Sequence, residues 1–161
     1  MTTTAPAPSA GITRINPTTW NAGFAFDHGQ VRTAPTTILT VAGQGPVDED
    51  GQLLHEGDAA AQIALAMTNV EAVLHAGGMD FRDVLRMTIY AVDVDAILAN
   101  YGVLIERLTV SAATPPTSLV GVSTGPATWA ASSARFGRTV SCSGETTVIA
   151  VLFWGGCIRA G

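Results

Sequence analysis

Three histidines, a close pair of aspartates, two cysteines and a handful of hydroxyls are the side chains of this sequence with proton-transfer, metal-binding or nucleophilic chemistry. His28, His55 and His75 fall on an expected strand, a loop and a helix end, without a ligand spacing such as H-E-x-x-H. His75 suits the negative end of a helix dipole, and no metal is expected. Asp93 and Asp95 could act as a carboxylate pair, but a helix N-terminus explains them more simply. Cys142 and Cys157 have no histidine near them in sequence to generate a thiolate, and whether they form a disulfide stays open. His28 stands on a strand expected to line a cleft, and Tyr101 sits on an apolar helical stripe that serves core and pocket equally well.

The elements that would position these groups follow from periodicity. Phe24, Phe26 and His28 alternate with small or polar residues, which predicts a first strand ending at Val31. Ile38 to Gln44 reads as a second strand forming a hairpin with the first, and it ends near Gly43, where the backbone can be approached closely. Asp48-Glu49-Asp50-Gly51 is a turn. A helix follows from about Asp58, its N-cap, to His75, with Gly77-Gly78 as the stop. Ala60, Ile63, Ala64, Met67, Val70 and Leu74 form its apolar stripe, and Gln62, Asn69 and Glu71 fall off it. Between Asp83 and Val92 a third strand presents Leu85, Met87, Ile89 and Ala91 to the helices, and Val84, Arg86, Thr88 and Tyr90 to a cleft or a partner. Asp93 or Asp95 opens a second helix carrying Ile97, Tyr101, Leu104, Ile105 and Leu108. Thr114-Pro115-Pro116-Thr117 breaks it and starts a fourth strand, Ser118 to Val122.

Composition bounds the possibilities. The 161 residues suffice for one domain with a real core, and 47% hydrophobic against 13% charged residues excludes a disordered chain. Net charge is -5, and all 8 basic residues are arginines without clustering beyond Arg82 and Arg86, which argues against nucleic acid as a partner. No apolar run reaches membrane-spanning length, and the opening MTTTAPAPSAG lacks the pattern of a secretory signal, so a cytoplasmic location is expected. Residues 1–15 read as a flexible tail, 16–123 as the domain and 124–161 as an atypical end. Two helices on one sheet leave its other face uncovered. With so little charge available, that face is expected to meet neighbouring subunits in a symmetric homo-oligomer.

In order, the landmarks are Val41-Ala42-Gly43-Gln44-Gly45-Pro46-Val47, an acidic Gly turn, Gly57-Asp58-Ala59-Ala60-Ala61-Gln62, Gly77-Gly78, Phe81-Arg82-Asp83-Val84, Met87-Thr88-Ile89-Tyr90, Tyr101 and Pro115-Pro116-Thr117-Ser118. This series resembles the RidA/YjgF family from about Gly23 to Val122. The resemblance implies a chorismate-mutase-like α+β fold, a mixed sheet covered on one face by two helices, and a homotrimer with clefts between its subunits. It also implies hydrolysis of reactive enamines or imines, such as 2-aminoacrylate, with no cofactor. Mapped residue by residue, it assigns catalysis to Tyr101 and Thr117, and binding of a small-molecule ligand to Phe26, Gly43 and Ser118; His28 joins the binding set from its expected place on the strand that lines the cleft. The family's carboxylate-gripping arginine, two residues after the proline that starts the fourth strand, is Thr117 here. Its serine before Gly-Gln is Ala42, the asparagine one turn before the tyrosine is Leu98, and its water-holding glutamate on a fifth strand has no counterpart. A ligand-binding or interaction module that keeps the cleft without its chemistry is the alternative.

From Thr124 the texture changes: charge is confined to Arg135, Arg138, Glu145 and Arg159, and both cysteines join Trp129 and Trp154 there. Two readings follow. Either the terminal sequence, through its reading frame or otherwise, diverges from the family after about Ser123, or Thr146 to Phe153 supplies a variant closing strand.

Overall fold

A computed structural model describes residues 11–33, 37–122, 149–152 and 157–159. Its longest element is helix α1, Ala59–Ala76. The Asp58 carboxylate accepts from the Ala61 amide at 3.0 Å, as its N-cap role requires. At the other end the Gly78 amide donates to the His75 carbonyl and the Met79 amide to the Leu74 carbonyl, each at 2.9 Å. Those two bonds make a Schellman motif, and Gly78 supplies the left-handed residue it needs at φ 70°. The buried stripe holds Ile63, Met67, Val70 and Leu74 as expected, but also Ala59, Ala66 and Gln62, while Ala60 and Ala64 are half-buried. Gln62 is fully buried, with neither amide atom finding a partner among the described residues, against the expectation that it lies off the stripe.

The central sheet has the order β5–β4–β6, with β4 at Met87–Ala91, β5 at Thr117–Gly121 and β6 at Ile149–Leu152. β4 runs parallel to β5 and antiparallel to β6. Met87, Ile89 and Ala91 are buried in one core with Ile63, Met67 and Val70 of α1, which is the face predicted to pack on helices. On the opposite face Arg86 is exposed, Tyr90 half-buried and Thr88 buried, so this face is less open at its centre than expected. The pairing of Ile149–Leu152 with β4 fits the reading of the terminal segment as a variant closing strand.

The helical crossover between β4 and β5 is broken rather than continuous. Asp93 caps helix α2, Val94–Ala99, by accepting from the Ala96 amide, and helix α3, Tyr101–Val110, starts after Asn100. The Asn100 side chain donates to the Ala96 carbonyl at 2.9 Å, a local bond that competes with continued helix. Ile97, Tyr101, Leu104 and Leu108 are nonetheless buried as their spacing predicts.

The N-terminal part departs from expectation. Strand β1, Ile12–Ile15, lies within the segment assigned to the tail and pairs antiparallel with β2, Gly29–Arg32. The expected hairpin between residues 24–31 and 38–44 does not form; β3, Thr37–Leu39, pairs instead with β7, Cys157–Arg159. Phe24 to Asp27 follow a 3-10 turn at Trp20–Gly23 and bend at Ala25, whose φ is 52°.

What holds this bend is a buried carboxylate. Asp27 accepts from Arg14 Nε at 3.0 Å and from Asn16 Nδ2, Gln30 Nε2 and Thr114 Oγ1 at 2.7 Å each. Its own amide donates to the Thr114 carbonyl at 3.0 Å. Burial alone would raise the Asp27 pKa, but the hydrogen bonds from Asn16, Gln30, Thr114 and Arg14 outweigh it and hold the carboxyl below its ordinary value. The sign is therefore that of a depressed acid. Its contribution is present in full above the unfolded carboxyl pKa of about 3.9 and is lost as pH falls through the lower folded value. Asp27→Ala should destabilise the chain by about 2–4 kcal/mol at pH 7, because four donors lose the one buried carboxylate that accepts from them all. In urea titrations at several pH values, the gap between wild type and variant should narrow as pH drops below about 4.

Helix α3 ends with the bonding pattern of α1 but without its glycine. The Ala113 amide donates to the Leu108 carbonyl at 2.8 Å and the Ala112 amide to the Thr109 carbonyl at 2.9 Å, with Ala112 at φ 51°. Alanine there meets the steric penalty that Gly78 avoids. Ala112→Gly should stabilise the protein by about 0.5–1 kcal/mol, net of the entropy glycine adds to the unfolded chain, and thermal unfolding would read the gain.

Candidate functional site

The site begins with the bend that Asp27 fixes. Residues on either side of it turn their rings together: Trp20 and Phe26 lie 5.6 Å apart edge to face, and Trp20 and His28 lie 5.1 Å apart. Phe24 joins Trp20 at 6.2 Å and Phe26 at 6.3 Å, and also reaches the Tyr101 ring at 6.2 Å with the planes at 64°. Such tilted and edge-to-face contacts suit the ring quadrupoles and make one cohesive aromatic surface. Trp20 is 63% and Phe24 43% exposed, whereas Tyr101 beneath them is 9% exposed. The cluster therefore has a solvent-facing side and a buried floor.

Two polar groups lie within it. The Nε2 atom of His28 is shielded from solvent and has no hydrogen-bond partner among the described residues. The His28 backbone amide is fixed to Asn16 Oδ1 at 2.9 Å, so the residue that carries this free nitrogen is held in place. Asn21 completes the frame by donating to Asn16 Oδ1 and to the Phe26 carbonyl. Burial pushes the Tyr101 phenol up from its ordinary pKa, so at neutral pH it is a hydrogen-bond donor rather than a base.

The β5 residues form a second group. Thr117 Oγ1 donates to the Pro115 carbonyl at 2.8 Å, which commits its hydrogen and leaves its oxygen able to accept. Ser118 Oγ accepts from Arg86 Nη2 at 3.0 Å. The same connection that delivers these residues is anchored at Thr114, whose hydroxyl and carbonyl both bind Asp27. Asp27 thus couples the aromatic group to the start of β5. Gly43 is buried in the segment leading to α1, whose Asn69 donates to the Gly45 and Val47 carbonyls at 2.9 Å each.

Of the residues singled out in the sequence, Phe26, His28 and Tyr101 belong to the aromatic group, and Thr117 and Ser118 to the strand group. The described contacts of Gly43's neighbourhood run to α1. Trp20, Phe24, Asp27 and Arg86 escaped sequence reasoning as site residues. The signal for the first two was present: Trp20, Phe24 and Phe26 crowd into seven positions of a chain that is only 6% aromatic. Among the described residues no three of His, Cys, Asp and Glu come together to hold a metal, and no helix is long and apolar enough to cross a membrane.

Comparison with known proteins places the chain in a family. Residues 25–131 match the family model described as endoribonuclease L-PSP. Protein DfrA of Myxococcus xanthus is 40% identical over 65 residues, 40% of this chain and 48% of that protein. A RutC family protein of Pyrococcus horikoshii is 33% identical over 58 residues, 36% of this chain and 46% of that protein. The matches span about half the length of these curated relatives. Among solved structures, a conserved Rid family protein, YyfB of Yersinia pestis, superposes with a TM-score of 0.66 at 22% identity, covering 92% of this chain and 99% of that one. The YjgF gene product of E. coli gives 0.55 at 21%, with coverage of 84% and 88%. E. coli TdcF with bound serine gives 0.54 at 21%, with the same coverage. A mixed α+β architecture with helices on a small sheet is common ground with them, and the match over residues 25–131 takes in Phe26, His28, Tyr101, Thr117 and Ser118. The chain belongs to the RidA/YjgF family.

Proposed function

We propose that this chain is a RidA-like small-molecule hydrolase or deaminase that acts on a reactive enamine, imine or related metabolite in a cleft between subunits of a homotrimer. The observation that carries the reading is the His28 nitrogen, shielded and without a partner among the described residues, within an aromatic surface whose floor is a protonated tyrosine. A planar C=N group stacks on the faces of Trp20 and Phe26, while the Tyr101 hydroxyl donates to the substrate nitrogen. Water adds to the imine carbon, with His28 Nε2 taking the proton it releases and returning it to nitrogen; the carbinolamine then expels ammonia and leaves a carbonyl. The Thr117 oxygen accepts from the substrate N–H, and Gly43 and Ser118 complete the lining. No step calls for a cofactor.

Several features support this reading over its competitors. The serine in E. coli TdcF is a ligand of amino-acid size, which suits an aromatic surface with few polar groups. An RNA substrate, suggested by the family model's description, needs a basic track. Here the net charge is -5, and Arg14, Arg82 and Arg107 are each engaged by a carboxylate. Exposed Trp20, Phe24, Val31 and Val120 in a chain of low charge favour burial between subunits. One observation favours the alternative of a binding module without turnover: the Thr117 hydrogen is committed to Pro115.

Ammonia release from freshly generated imines separates the two. A hydrolase should lose about 10²-fold or more of kcat/KM in His28→Ala and in Tyr101→Phe, with a smaller loss in Thr117→Ala. Thermal shifts on ligand addition without ammonia from any imine tested would instead establish the binding module. Light scattering should give three times the chain mass if the trimer holds.

A further inference from the structure

We infer that the substrate carries an uncharged aromatic group, seated on Trp20 and Phe24, and no carboxylate. Phe24, Phe26 and His28 meet the Trp20 indole with planes inclined by 62°, 68° and 45°, so none of these neighbours lies flat on it. At 63% exposure the indole keeps surface for the offset stacking that a planar ring prefers. Phe24, itself exposed, stands 6.2 Å from Trp20 and 6.2 Å from Tyr101, so the open rim runs on to the buried phenol. The rim is firmly backed. Asn21, in the same 3-10 turn as Trp20, is buried and donates to Asn16 Oδ1 and to the Phe26 carbonyl.

Charge decides against an acid. Ring faces carry the negative side of an aromatic quadrupole, so they attract cations and repel a carboxylate laid on them. An anion brought there also loses hydration that only donors or a cation can replace. Arg14, tied to the same bend, has its guanidinium on Asp27 and Thr114. Arg86 is exposed, and its described bond goes to Ser118 in the strand group. The Tyr101 phenol is a neutral donor, and the net charge of -5 adds to the bias against an anion. A neutral aryl ketimine meets these conditions together: its ring stacks on Trp20 and Phe24, its nitrogen accepts from Tyr101, and it brings no charge to be desolvated.

The inference rests on the proposed hydrolase reading for its reaction, in which water replaces nitrogen at the C=N carbon to give an aryl ketone and ammonia. Binding of the ring needs no turnover, which keeps the two ideas separable. The test titrates the full chain with acetophenone, phenylglyoxylate and acetone, by calorimetry and by the NMR shift of the Trp20 indole N–H. The first two share an aryl ketone and differ in a methyl against a carboxylate; acetone lacks the ring. Acetophenone should bind saturably, and the other two at least about tenfold more weakly. Trp20→Ala should weaken acetophenone about tenfold, and Trp20→Phe should retain part of the affinity, which separates loss of stacking from loss of structure. Phenylglyoxylate or acetone binding as tightly as acetophenone, unchanged acetophenone affinity in Trp20→Ala, or no saturable acetophenone binding by wild type overturns the inference. Trp20-dependent acetophenone binding with no ammonia from acetophenone imine or any other imine upholds the aryl site and removes the hydrolase. Ammonia from the imines of acetone or pyruvate, without acetophenone binding, does the reverse.

Discussion

A carboxylate taken out of water is tolerated only if enough donors replace its hydration, and Asp27 meets that condition by recruiting groups from distant parts of the chain. Arg14 and Asn16 come from β1 and the residue after it, Gln30 from β2, and Thr114 from the connection into β5. None of these segments has a large core of its own. The ion therefore does for the N-terminal part what Met87, Ile89 and the α1 stripe do for the rest: it makes separate pieces mutually dependent. Phe26 and His28 flank the carboxylate in sequence, so their rings inherit its fixed position. The leucines and methionines of the core set the sheet, and one charged group sets the site upon it.

Where the sequence was legible, the forces were local. Helix α1 could be read because Asp58, the apolar spacing and Gly77-Gly78 each act within a turn or two of themselves. The buried face of β4 was equally plain, since alternation is set by the pleat. The break at Asn100 was not, although its cause is also short-range; a side chain that competes with its own backbone leaves no mark on hydrophobic periodicity. Gln62 misled for another reason. Its place on α1 lies inside the buried arc, and polarity alone had assigned it to the surface.

The failed hairpin shows what lies beyond local reading. Alternation of Phe24, Phe26 and His28 is real, yet it reflects rings gathered against Trp20 and Tyr101 rather than a pleated strand. Only Asp27's partners, up to 87 positions away, reveal that the backbone must bend there. The same holds for β1, whose residues look like tail until Arg14 and Asn16 find their acceptor. In both cases a polar contact of long sequence separation outweighed a credible local pattern.

The strand residues carry this reasoning furthest. Taken along the sequence, Thr117 marks the loss of a cation, and nothing nearby replaces it. Parallel pairing changes that bookkeeping, because it lays the start of β5 beside residues that precede it by a whole helical crossover. Arg86 and Ser118 are 32 positions apart in sequence yet joined by a hydrogen bond of 3.0 Å. Arg86 stands just ahead of β4 and is exposed, whereas Thr88, which pairs with Ser118 in the register, is buried. The Arg86–Ser118 contact belongs to the register of the sheet and not to a motif along the chain, which is why the surroundings of Thr117 and Ser118 could not be read from the residues next to them in sequence.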